Sequence, residues 1–316
     1  MEDKRKELPF SFFVKNGIGF LRDAKSIWNS LSQSKDVEDL DIVQYQEMHK
    51  IALLARSAES FIKALLLVYD EIVLFPVFLL IKKVETIMNK RLPRIIKISR
   101  RLKERAITIE SLERLEHHPV LYSEIPQIFL EASKILHSIG EKDLANVYSK
   151  IYNYLDSMKK KDKTKRLKER KFQDIEKLRL ELTTSIDIPK YIDDVLEILR
   201  EAINSELIDE KVRESIKYLI ENPHILKYIL NLTNIGIQEL IDLILIADYL
   251  SDAATEGFYP SDINAQNYLN DIKENQRFLM DYLSTIGTEL YRLSKNPEFM
   301  ETLEDYYRYI GSNIIS

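Results

Sequence analysis

The chain has 316 residues, 45% hydrophobic and 31% charged, a balance that excludes a disordered polymer and leaves ample apolar material for a core. It contains no cysteine, which excludes disulfides, thiolate metal sites and cysteine nucleophiles and fits a reducing, cytoplasmic setting. The formal net charge is −5 with only 7 glycines, and the wealth of Lys, Glu, Ile and Tyr leans toward a thermophile.

Apolar residues recur at helical period along almost the whole chain, and no stretch alternates as a strand would. The expected fold is all-α, an elongated or two-lobed multi-helix bundle. The start, MEDKRKELPF, is charged and carries no cleavage pattern, so no secretory leader is expected there. The first clear helix is expected from about Asp41 to Ile72, and Pro76 and Pro93 each open a further one, since proline is tolerated in a first turn but not in a helix interior. Within this region Phe61 to Ile81 is long enough to cross a bilayer. Its fifteen Leu, Ile, Val and Phe residues gain roughly 0.3–0.6 kcal/mol each on insertion, whereas Asp70 and Glu71 together cost roughly 5–7 kcal/mol. The sum is near zero before Lys63 and Pro76 are counted, so a buried core helix is expected rather than a span.

Further along, Ser123 can cap a helix with Pro126 in its first turn, and Gly140 can close it. The segment EKDLANVYSKIYNYLDSM follows as an amphipathic helix. Residues 159–171, KKKDKTKRLKERK, carry nine basic and two acidic residues around a single apolar Leu167. A run with so little to bury reads as a basic linker or exposed helix extension, dividing residues 1–158 from 172–316 as two helical bundles. In the second half Asp187 precedes a helix opened by Pro189, and Asp209 can cap the next; Pro223 opens another. Gly236 and Gly257 bracket a very apolar helix. Ser261 caps a long helix from Asp262 to Ser294, and Pro297 opens the last.

Catalytic signatures are sparse. The five histidines include one Glu-x-x-His spacing, Glu221 to His224, which Pro223 breaks, and no zincin pair. Gly17-Ile18-Gly19 lacks the third glycine and the strand of a dinucleotide fingerprint, and neither a phosphate loop nor a nucleophile elbow occurs. Asp193, Asp194 and Glu197 have the spacing of an aspartate-rich magnesium motif, but a second motif is missing, since Asn270-Asp271 lacks the distal ligands. No enzyme, cofactor or small-molecule substrate is expected.

Two constellations remain. On the helix between Gly236 and Gly257, apolar residues wrap almost the whole circumference, which marks a buried helix. Even so, Asp248, Asp252 and Glu256 stand at i, i+4 and i+8 on one face, and like charges so close require a cation, a basic partner or water. They are the candidate metal ligands; the plainer expectation is a ladder at the solvated end of the helix, paired with basic neighbours. The run Asp248-Tyr249-Leu250-Ser251-Asp252, followed by Ala253-Ala254, is similar to the acid-x-x-x-acid motif of the PhoU-like phosphate-regulator family, whose helical bundles hold metals on such motifs. The similarity covers about twenty residues, and no second copy stands where a repeated bundle would carry one. Membership is not assigned.

The other constellation is charge segregation. Residues 82–105 carry a net +8 and residues 159–171 a net +7, which leaves −20 on the remainder. Lys90, Arg94, Lys97, Arg101 and Arg105 recur along one helical face as a candidate anion-binding stripe. Such a row suits nucleic-acid phosphates or an anionic membrane surface. The plainer expectation is internal compensation of the acidic remainder. No aromatic residue interleaves it, so base stacking is not offered. The sequence is therefore read as a non-catalytic interaction or scaffold protein with a protein partner. Two other readings stay open: a basic-stripe binder of nucleic acid or anionic membrane, and a PhoU-like metal- or phosphate-responsive regulator.

Overall fold

The computed structural model describes residues 9–33, 40–69, 121–122, 125–138, 142–161, 171–183, 238–252 and 263–297, with isolated positions between 196 and 221 and again at 299–300. Helix makes up 95% of the described part and strand none of it, so the fold is an all-α multi-helix bundle. Among the described residues its elements are α1 (Pro9–Gln33), α2 (Leu40–Tyr69), α3 (Ile125–Ser138), α4 (Lys142–Lys160), α5 (Phe172–Thr183), α6 (238–251) and α7 (Ile263–Lys295).

The first helix departs from the sequence reading, which begins regular structure only near Asp41. In α1, Phe10, Phe13, Val14, Gly17, Leu21 and Ala24 form one buried stripe at helical spacing, opposite exposed Lys15, Arg22 and Asp23. Two glycines within three residues cost about 1 kcal/mol each in a helix and hide that stripe from a propensity argument. Packing explains Gly17. Its bare Cα lets α2 approach until the Ser57 hydroxyl donates to the Gly17 carbonyl at 2.8 Å and the Phe61 ring fills the space of a side chain.

From Ser57 to Leu66, α2 is buried almost all round, with Glu59 alone partly exposed. Residues 61–66, the part of the Phe61–Ile81 segment whose burial is described, are thus enclosed as a core helix requires, and among the described residues no helix is long and apolar enough to cross a membrane. Residues 70–120, including the expected helix starts at Pro76 and Pro93, lie outside the described part. Two lysines share this core. Lys50 bonds Glu47 at 2.6 Å and Gln276 of α7 at 2.7 Å and lies 4.8 Å from the Trp28 ring centroid of α1. Burial lowers its pKa, against the pull of Glu47. Lys63 stands 3.8 Å from Glu59.

Helices α3 and α4 form a pair. Pro126 falls in the first turn of α3, as expected, and α3 ends before Gly140. Tyr148, Ile151, Leu155 and Met158 make the buried stripe of α4. Phe129 meets Tyr148 edge-on at 5.1 Å, and Ser133 donates to the Ala145 carbonyl at 2.8 Å. The α4 helix runs into the basic run as far as Lys160, and α5 starts at Phe172. Residues 162–170 lie outside the described part.

The long α7 spans nearly the residues expected of it and lies against α1, α2 and α5. One cluster of buried side chains runs through α1 to α7, so helices on both sides of residues 159–171 contribute to it. Among the described helices α6 is the most enclosed. Every residue from Leu240 to Leu250 is buried. Each fully buried Leu or Ile there contributes about 1.5–3 kcal/mol.

Candidate functional site

The polar groups enclosed with α6 form three stations, each built from a carboxylate and tyrosine hydroxyls. Asp242 and Asp248 are six residues apart, about one and two-thirds turns, so they leave the helix on different sides. Asp248 is fully buried, and its two oxygens are divided between two tyrosines. Tyr122 donates to Oδ1 and Tyr154 of α4 donates to Oδ2 at 2.6 Å. The Ser251 hydroxyl donates to the Asp248 carbonyl at 2.9 Å and lies 3.3 Å from the Tyr122 hydroxyl, which closes the group.

Asp271 of α7 holds the second station. Its Oδ2 accepts from the Tyr249 hydroxyl at 2.5 Å and from the backbone N–H of Phe172 at 2.8 Å. The latter is one of the N–H groups that a helix N-terminus leaves without an intrahelical acceptor, so α7 caps α5. Tyr268 donates to the Tyr249 carbonyl, and the rings of Phe172, Tyr249 and Tyr268 meet edge-on at 5.8 and 5.9 Å. Burial and the Asp271 carboxylate push the Tyr249 hydroxyl far above the ordinary tyrosine range, so it remains a donor.

At the third station Asp242 Oδ2 accepts from the Tyr282 hydroxyl of α7 at 2.8 Å and lies 3.5 Å from Arg179 Nη1 of α5. Arg179 also pairs with Glu176 at 3.2 Å on its own helix. Burial raises the Asp242 pKa in spite of Tyr282 and Arg179. It raises that of Glu239, one turn earlier, with Glu289 and Asp242 adding to the effect. Tyr282 is pushed upward by burial and then by Asp242.

Of the candidate ligands, Asp248 on α6 and Asp252 directly after its end are both buried rather than at a solvated end. Glu256 lies outside the described residues, as do Lys90, Arg94, Lys97, Arg101, Arg105, Asp193, Asp194 and Glu197. Among the described residues no group of three or more His, Asp or Glu side chains is placed to hold a metal. Sequence reasoning missed Tyr122, Tyr154, Tyr249, Tyr268 and Tyr282. The available signal was 17 tyrosines in a chain with a very apolar helix that carries acids requiring donors. No family model matches the chain, and neither curated proteins nor solved structures give a significant match.

Proposed function

We propose that this chain is a non-catalytic helical scaffold that works by binding other macromolecules, its enclosed carboxylates serving to tie helices together. The observation that supports this reading is Asp248. Both of its oxygens accept hydroxyl donors from Tyr122 and Tyr154, so a metal at that carboxylate would have to displace two buried hydrogen bonds. Large apolar side chains left exposed on α2, α5 and α7 (Tyr45, Leu180, Phe278, Tyr291 and Leu293) are candidate contact points for a protein partner. Elemental analysis of the purified wild type and Asp248→Asn tests the structural role. No stoichiometric metal in either, with a lower melting temperature for the variant, is the expected result. A stoichiometric metal present in the wild type and lost in the variant would overturn the reading in favour of a PhoU-like, metal-responsive protein.

The charge segregation of residues 82–105 supports a second reading, an anionic partner held along Lys90, Arg94, Lys97, Arg101 and Arg105. Binding to duplex DNA or to vesicles containing phosphatidylserine should then weaken steeply with salt and be abolished by the pair Lys97→Glu and Arg101→Glu, the fold remaining intact. A lower melting temperature without any binding to lose would instead mean that the stripe is paired within the chain.

A further inference from the structure

Of the three stations, only the one around Asp242 has a buried oxygen left over. Asp242 is 6% exposed, and among the described residues its Oδ1 has no hydrogen-bond partner, whereas Oδ2 accepts Tyr282 and faces Arg179. Native interiors rarely leave such an atom unsatisfied, and an ionised carboxylate is the most costly group to leave so. Among the described residues charge compensation is also incomplete. The groups facing Asp242 among the described residues are Glu176 and Arg179 from α5, Tyr282 from α7 and Glu239 from α6 itself, with Glu289 of α7 acting on Glu239. That is one cation, already shared with Glu176, against several acids. Among the described residues no group of three ligands is placed there to hold a metal, and a proton on the carboxyl would remove the uncompensated charge.

We propose that Asp242 is a proton-responsive switch at the junction of α5, α6 and α7, tight when the carboxyl carries a proton and loosened when the proton leaves. The neutral acid removes a buried charge that a single shared arginine does not balance, and the Tyr282 hydroxyl still donates to Oδ2. The raised pKa of Asp242 agrees in sign. A carboxyl whose folded pKa lies above its unfolded value stabilises the fold fully below the unfolded value, about 4 for aspartate, and loses that contribution as pH rises through the folded one. Burial shifts Glu239 in the same direction, with the Glu289 and Asp242 carboxylates adding to it.

The test uses the full chain. Carbon-13 NMR of labelled aspartate side chains, with Asp242 assigned from its loss in Asp242→Asn, follows the carboxyl through a pH titration. A midpoint above the ordinary aspartate range is expected; a midpoint within or below that range would overturn the proposal, whatever the variant does. Thermal melting of the wild type and Asp242→Asn over the same series reads the consequence. The melting-temperature difference, wild type minus variant, should fall as pH rises through that midpoint. A difference that stays constant or grows with pH would show that the proton does not control the junction.

Discussion

The Phe61 ring of α2 occupies the space that a side chain at Gly17 of α1 would need. A Cβ placed on Gly17 would collide with the ring edge, and one placed on Gly287 of α7 would lie 2.7 Å from Phe61 Cζ. One aromatic ring thus sets the approach of three helices, and the two glycines are the positions that admit it. Gly17→Ala and Gly287→Ala should each destabilise the chain by about 1–3 kcal/mol, the usual effect of overpacking. Gly19→Ala meets nothing within 4 Å and should stabilise α1 by about 0.5–1 kcal/mol. Urea denaturation of the three variants checks the contrast. Equal effects at Gly17 and Gly19 would mean that the ring is not wedged there.

Asp271 joins α7 to the start of α5 through the Phe172 N–H and holds the Tyr249 hydroxyl of α6 with the same oxygen. Asp271→Ala removes a helix cap and leaves a buried hydroxyl without its acceptor, a loss of about 2–4 kcal/mol. Amide hydrogen exchange at Phe172 should accelerate in the variant beyond the change at amides in the middle of α5. Protection at Phe172 unchanged from the wild type would contradict the cap.

Much of this architecture was legible along the chain, for reasons that also mark where legibility ends. Spacing within one helix is a property of sequence, so Pro126 in the first turn of α3, the span of α7 and the enclosure of α6 follow from local pattern. The carboxylate ladder of Asp248 and Asp252 was equally visible, but its surroundings were not. Tyr154 and Tyr122 reach Asp248 from 94 and 126 residues away, and packing alone decides such partners. The α1 helix was obscured for a related reason. Gly17 and Gly19 weaken its local signal, and the compensation at Gly17 lies on α2, forty residues distant.

Residues 159–171 should be the first site of tryptic cleavage under native conditions, because the run is rich in lysine and carries only Leu167 to anchor it. The shared core adds a second expectation. Helices α1 and α2 lie against α7, so the nicked fragments should co-elute on size exclusion until denaturant is added. Separation without denaturant would show that each half stands alone, and an uncut run would show a packed helix.

A double-mutant cycle between Tyr154 and Asp248 tests most directly the proposal that the enclosed carboxylates tie helices rather than bind a ligand. Unfolding free energies are measured for the wild type, Tyr154→Phe, Asp248→Asn and the double variant, each in chelator and in added magnesium or manganese. A structural tie gives single-variant losses of about 1–3 kcal/mol, a coupling of about 0.5–3 kcal/mol and no response to the cation. Additive losses, together with a cation-dependent gain in the wild type that disappears in Asp248→Asn, would contradict the account.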